Sequence, residues 1–266
     1  MEIREYRKED VPALADLWLR VFGDKRELID SFFTHLPDMG TMVLAEEAGR
    51  LLGMAGVITG FALADGSEEE TVCGYLYAVA VEEDARGQGI GAALCRFGAE
   101  KARERGAGII ATLPAGEALY GWYEGCIGTK FSLRRERRRT AAAEGALLPM
   151  STTEYLLWRE SLLLGSGHLR PSAPVLDFIR ELCCLYGGGF FAGETGIGMA
   201  VLDGESAILP ELLCADGEEE SLAAAVAASL GAREAVWFRP CAGGGERYVA
   251  LDTPLPPDTR WSLTME

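Results

Sequence analysis

Thr71-Val72-Cys73-Gly74-Tyr75-Leu76-Tyr77-Ala78-Val79-Ala80-Val81, then Glu82-Glu83-Asp84-Ala85, then Arg86-Gly87-Gln88-Gly89-Ile90-Gly91, is the stretch that decides the fold. Its first eleven residues carry no charge, which predicts a strand buried on both faces. A helix over about 89–105 follows. Ile90, Leu94 and Phe97 recur at helical spacing, and Arg96, Glu100, Lys101, Arg103, Glu104 and Arg105 cover the other faces. Gly106 ends it. Glycines between a buried strand and a helix let the backbone approach an anion closely, and the helix start adds unpaired N–H groups and a favourable dipole. A phosphate group suits such a turn. A glycine-rich helix start without a ligand would carry the conformational cost of those residues with nothing to offset it.

The spacing is G-x-G-x-G rather than G-x-G-x-x-G, and charged residues separate strand from glycines, unlike the tight turn of a dinucleotide fold. No Gly-Lys-Ser/Thr follows, which excludes a nucleoside triphosphate P-loop. Upstream, Ile3 and Tyr6 alternate with charge as a short strand. Val11, Leu14, Leu17, Trp18, Val21 and Phe22 then make an amphipathic helix, with Asp10 as N-cap and Pro12 in its first turn. A helix over 25–36, strands over 41–46 and 51–59, and a polar loop over 65–70 precede the decisive strand. Downstream come a strand over 108–113, a helix over 117–123 and closing strands over 127–135 and 138–142.

R-x-x-G-x-G at 86–91 resembles the coenzyme A loop of the GNAT-type N-acetyltransferase superfamily. Tyr75 to Glu82 resembles that family's fourth strand. Ala118-Leu119-Tyr120-Gly121-Trp122-Tyr123-Glu124 is similar to its helix after the fifth strand, and Ile3-Arg4 through Phe22 to its first strand and helix. The resemblance covers residues 1 to about 135. It implies an α/β GNAT fold on a mixed sheet and acetyl-CoA as cofactor, with direct transfer of the acetyl group to a primary amine of a small molecule or peptide. Val79, Ala80 and Val81 would present backbone groups to the pantetheine arm. Arg86, Gly87, Gln88, Gly89, Ile90 and Gly91 would hold the pyrophosphate.

Tyr123 would be the general acid, since a phenol near pKa 10 can protonate a departing thiolate of similar basicity. Tyr120 is its neighbouring alternative, and an aromatic anchor the structural one. The chain departs from the family at Ile127-Gly128, displaced by one residue, and at Ala115, where an Asn often stands. Glu70 and Glu117 are candidate bases, with water as a third choice. The reading from another class is a non-catalytic acyl-CoA-binding or partner-binding module.

The second half repeats the order of elements without the motif. A helix over 173–186, strands over 188–193, 196–202 and 205–214, a helix over 219–230 and a strand over 234–239 echo residues 26–113. Its strand-to-helix connection, Ala215-Asp216-Gly217-Glu218-Glu219-Glu220, would repel a pyrophosphate. The expected organisation is therefore tandem: a GNAT domain over 1–140, a linker over 141–153, and a degenerate GNAT-like domain over 154–266. The last twenty residues, with three prolines, read as an extended surface segment.

Net charge is −16, and residues 141–266 hold 18 acidic against 7 basic residues. That field disfavours nucleic acid and anionic membrane as partners and hints at a cationic acceptor such as a polyamine, an aminoglycoside or a peptide amino terminus. Arg134 to Arg139, the one basic run, reads as a solvated strand or loop edge. Seven cysteines without a C-x-x-C read as buried reduced thiols, two histidines leave no metal site to expect, and no signal peptide or membrane span is evident. A cytoplasmic location is the expectation.

Overall fold

Alternation of Ile3 with charge gives β1 (Glu2–Glu5), and the helical spacing after it gives α1 (Val11–Phe22), which buries Leu14, Ala15, Leu17 and Trp18. The structure is a computed structural model that describes residues 1–65, 70–256 and 258–261. Residues 66–69 of the expected polar loop, with 257 and 262–266 of the expected C-terminal segment, lie outside the described residues. Asp10 does not cap α1 through its side chain. Its carboxylate instead accepts from the Arg7 N–H (2.6 Å) and pairs with Arg4 (2.7 Å), a nearby cation being the stronger partner.

The chain continues through α2 (Arg26–Met39), β2 (Gly40–Glu47), β3 (Arg50–Ala64), β4 (Thr71–Val81), α3 (Ile90–Glu104), β5 (Ile109–Thr112) and α4 (Glu117–Ile127). Where two closing strands are expected, the structure has one, β6 (Phe131–Ala141), because nothing in the arginine run breaks the backbone and both its edges are paired. Then come β7 (Leu148–Pro149), α5 (Thr152–Leu162), β8 (His168–Pro171), α6 (Ala173–Leu185), β9 (Gly189–Ala192), β10 (Gly196–Asp203), β11 (Ser206–Cys214), α7 (Glu219–Ser229), β12 (Glu234–Cys241) and β13 (Glu246–Leu251). Helix α5 is absent from the sequence reading because Leu157, Trp158 and Leu162 stay exposed and blur its periodicity. Its start is nonetheless marked by a capping box: Ser151 Oγ accepts from the Glu154 N–H, and Glu154 accepts from the Ser151 N–H.

All strands join one sheet in the order β1-β2-β3-β4-β5-β13-β6-β12-β11-β10-β9-β7, with β8 paired to β3. Pairs β4·β5 and β11·β12 are parallel, and the three pairings between them are antiparallel. The run β4-β5-β13-β6-β12-β11 therefore reads alike from either end about the β13·β6 pair. Each half lends the other a strand: β13 enters beside β5, and β6 enters beside β12. The expected surface placement of the last twenty residues is thus corrected for β13. Tyr248, Val249, Ala250 and Leu251 are nearly solvent-free and fill the middle of the sheet, since an apolar strand with pairing on both edges is more stable there than on the surface. The arginine run is a strand with Arg137, Arg138 and Arg139 exposed, one of the two expectations for it, but it is paired on both edges rather than lying at a loop edge.

Helices α1, α2, α5 and α6 cover one face over a core with Trp18, Phe32, Tyr155 and Phe178. Helix α3 covers the opposite face over Leu76, Leu94 and Cys95, and α7 does so in the second half over Leu209 and Trp237. The repeat-related helices α2 and α6 meet through Phe32 and Phe178, whose rings are 5.5 Å apart. Under α5, the Arg159 guanidinium and the Glu211 carboxylate pair at 3.0 Å, both without solvent exposure, and the Tyr155 hydroxyl donates to Glu211 at 2.9 Å. All seven cysteines are free. Cys73, Cys95 and Cys183 are buried as expected, whereas Cys184 is exposed because it lies on the outer side of α6.

Candidate active site

Strand β4 is irregular where the sequence is smoothest. Ala78 has φ +49°, and the pairing with β3 slips between Tyr77·Gly56 and Ala80·Met54, so two residues of β4 face one of β3. This is a β-bulge, which bends a strand and breaks its ladder. On the other edge, the parallel pairing with β5 ends at Leu76·Thr112. Beyond that rung the strands diverge, and Tyr77, Ala78 and Val79 are only half-buried. The expected burial of β4 on both faces therefore holds over Cys73–Leu76 and fails where the cleft opens.

A cavity of about 620 Å³ occupies the divergence. Val79 lines it, while Ala80 is buried against β3 and Val81 closes the strand beside Gly53. Arg86 sits past the end of β4 and donates from Nε to the Val81 carbonyl at 3.1 Å, which ties the glycine turn to the strand. Gly87 (φ +77°) and Gly89 (φ +79°) are both left-handed, and a Cβ on either would meet nothing within 4 Å. The turn is therefore both conformationally restricted to glycine and open to an approaching group. Gln88 is exposed, Ile90 is buried, and Gly91 lies against the Trp122 ring. No side chain caps the first turn of α3, so its N–H groups have no side-chain acceptor, and none of residues 86–91 lines the cavity itself.

Helix α4 brings Tyr123 to the cavity from the α3 face of the sheet. Burial pushes its phenol up to about 12, the nearby Cys95 adds to this, and the Thr112 hydroxyl opposes it by hydrogen bonding. Tyr123 thus stays protonated at neutral pH. Tyr120 is also buried and also pushed up to about 12, chiefly by burial, with Arg247 opposing it. It does not line the cavity; the Arg247 guanidinium sits over its ring at 4.1 Å.

Of the two candidate bases, Glu117 forms an ion pair with Arg247 at the cavity rim, and Glu70 pairs with Arg170 at the far end of β4, away from the cavity. Ala115 lines the cavity.

Other lining residues are not among the site residues expected from the sequence. Trp18, Phe22 and Asp24 come from the end of α1 and the turn after it, Arg135 from β6, and Arg247 and Tyr248 from β13. The α1 periodicity marked Trp18 and Phe22 only as core positions. No signal linked Arg135 to Arg247 and Tyr248, which lie more than a hundred residues away along the chain. In the second half, β11 and β12 part beyond Leu209·Trp237, yet the space there is filled. Pro210, Phe238, Tyr248 and Trp261 leave a cavity of only about 20 Å³. Among the described residues no cluster of His, Cys, Asp and Glu could hold a metal ion, and no helix is long and apolar enough to cross a membrane.

The sequence model of the acetyltransferase (GNAT) domain matches residues 2–124. Solved structures similar over the whole chain include a conserved protein of unknown function from Enterococcus faecalis V583, with a TM-score of 0.71 and 12% identity over 94% of this chain and 72% of that one. A GCN5-related N-acetyltransferase from Kribbella flavida has a TM-score of 0.66 and 17% identity over 94% and 70%. Eis1 from Mycobacterium abscessus has a TM-score of 0.62 and 12% identity over 95% and 74%. At such identities the likeness is one of fold. No curated protein matches this sequence. The glycine turn lies inside the matched segment, and residues 2–124 match the acetyltransferase (GNAT) domain.

Proposed function

We propose that the protein is an N-acetyltransferase that uses acetyl-CoA and moves the acetyl group directly to a primary amine of a small molecule or peptide. The observation that carries this reading is the end of the β4·β5 pairing at Leu76·Thr112, with the Tyr123 phenol beside that rung and a 620 Å³ cavity beyond it. The backbone of Val79, Ala80 and Val81 receives the pantetheine arm as an added strand. Arg86, Gly87, Gln88, Gly89, Ile90 and Gly91 hold the pyrophosphate at the start of α3. The open, left-handed glycines and the uncapped helix turn fit that group.

The acceptor nitrogen forms the new bond to the acetyl carbon as the carbon–sulfur bond breaks. Tyr123 gives its proton to the departing sulfur and is restored by the proton that the nitrogen loses, relayed through water. Holding both reactants in one cleft supplies most of the rate. Residues 1–140 make up the catalytic domain and 154–266 a degenerate second domain without a coenzyme A loop, joined by 141–153. The acidic connection at 215–220 and the filled space at Trp261 support that division. Seven free cysteines suit a reducing compartment such as the cytoplasm.

The experiment is titration with acetyl-CoA by calorimetry beside the Arg86→Glu, Gly89→Glu double variant, followed by a thiol-release assay across amines. Micromolar binding by the wild type alone supports the reading. Absence of binding to both would leave the chain a partner-binding module.

A further inference from the structure

Charge in the cavity is divided between two walls. On the first, Asp24 sits among aromatic rings: the Trp18 indole donates to its Oδ2 at 2.7 Å, and the Tyr186 hydroxyl to its Oδ1 at 3.5 Å. Its carboxylate is close enough to Tyr77 to add to the effect of burial in pushing that phenol up. On the second wall, Arg135 and Arg247 enter from β6 and β13. Arg135 is stacked 3.9 Å from the Phe238 ring and 4.9 Å from the Tyr248 ring, and Arg247 lies 4.1 Å over Tyr120. Cation–π contacts of this kind restrain a guanidinium before any ligand arrives.

Strand β4, which carries Tyr77, and β13, which carries Arg247, are separated in the sheet by β5 alone, and Asp24 and Arg247 line the same cavity. The partner of Arg247 does not cancel this arrangement: Glu117 is a rim residue with its side chain 76% exposed, so the pair is the weak kind that water screens. A guanidinium has five donors, and Arg247 spends Nη2 on Glu117.

Resting on the acetyltransferase reading above, we propose that the acceptor is amino-acid-like: its amine is received at Asp24, and a carboxylate on the same molecule is received by Arg247. The net charge of −16 favours a cation, but distant surface charges are screened beyond about 8–10 Å at physiological salt. The groups within the cavity therefore set the selection, and they require an anion as well as an amine.

The test is a thiol-release assay with acetyl-CoA and matched primary amines that differ by one carboxylate: phenylalanine beside phenethylamine, and leucine beside isopentylamine, with spermidine as a purely cationic comparison. The expected result is a kcat/KM at least about tenfold higher for the carboxylate-bearing member, the scale of one charge-assisted hydrogen-bonded pair. R247Q brings the ratio within about twofold by raising KM for that member, and R247K restores part of it. D24N raises KM for both members alike. Equal rates within pairs, faster rates for phenethylamine or spermidine, or no turnover of any carboxylate-bearing amine would overturn the proposal. If R247Q does not fold, as judged by its acetyl-CoA calorimetry, the wild-type ratio still decides. Failure of the wild type to bind acetyl-CoA would overturn the acetyltransferase reading itself, a result distinct from binding without selectivity.

Discussion

Thr112 donates a hydrogen bond from Oγ1 to the Leu76 carbonyl at 3.1 Å, and the same two residues are the last partners in the parallel pairing of β4 with β5. The cleft therefore opens from a fastened rung. The Tyr123 phenol faces that same hydroxyl, which places the candidate acid where the strands part.

Tyr123→Phe should lower turnover by about 10²-fold, the usual scale for losing a positioned acid, while acetyl-CoA affinity changes by less than about twofold. Steady-state kinetics beside calorimetry check this. Burial raises the Tyr123 phenol to about 12, so the active, protonated form persists through neutral pH and is lost only as pH climbs toward that value. The rate should not fall between pH 7 and 10 in a profile of kcat. A decline with a midpoint near 8 would assign the proton to another group.

Gly89→Ala places a Cβ on a backbone at φ +79° and should cost roughly 1–2 kcal/mol of stability by the general penalty for left-handed L-residues. Space is not the obstacle, because a Cβ there meets nothing within 4 Å. Acetyl-CoA binding should weaken only modestly in this variant and vanish in Arg86→Glu, Gly89→Glu, where two carboxylates face the pyrophosphate. Urea unfolding and calorimetry separate the two effects.

Ala78 carries the bulge at φ +49°. A branched residue is poorly suited to that conformation, so Ala78→Val should destabilise the fold by about 1–2 kcal/mol, whereas Ala78→Gly should stay within about 0.5 kcal/mol of the parent. Denaturant midpoints read both. Equal loss in the two variants would mean that the methyl contact, not the backbone, matters at this position.

Arg159 and Glu211 are both shielded from solvent. Removing one partner strands the other, so Arg159→Met should cost about 3–5 kcal/mol, and Arg159→Met with Glu211→Leu should recover most of it. The double-variant cycle in urea is the measurement.

Glu160 supplies a pH dependence of stability. Burial alone would raise its carboxyl, but hydrogen bonds from His168 and Arg170 overrule burial and hold it at about 2. A carboxyl lowered in the folded state stabilises above its unfolded value near 4.3 and loses that contribution as pH falls toward 2. With partial exposure discounted, the window from about pH 4.5 to 2 should remove about 2 kcal/mol that Glu160→Gln does not lose. Urea midpoints measured across that range provide the test.

The glycine turn was legible because its signal is local: Gly87 and Gly89 adopt the left-handed geometry that only glycine takes freely, between a charge-free strand and an amphipathic helix. The order of repeated elements was legible for the same reason, since periods of two and 3.6 residues act over a few neighbours. The bulge at Ala78 was not, because Tyr75 to Val81 reads as smooth strand and its break depends on a slipped register with β3. Asp24 carries no local mark either.

Local pattern in the sequence by itself determined the GNAT-type first half, its glycine turn and Tyr123 as candidate acid. Tertiary structure alone decided that β13 leaves the C-terminal segment to lie between β5 and β6, and that Arg135, Arg247 and Tyr248 meet at one cavity wall. The physical reason is that an edge strand pairs with whichever complementary strand buries it best. That choice is settled by the free energy of the whole sheet and leaves no trace in the spacing of residues along the chain.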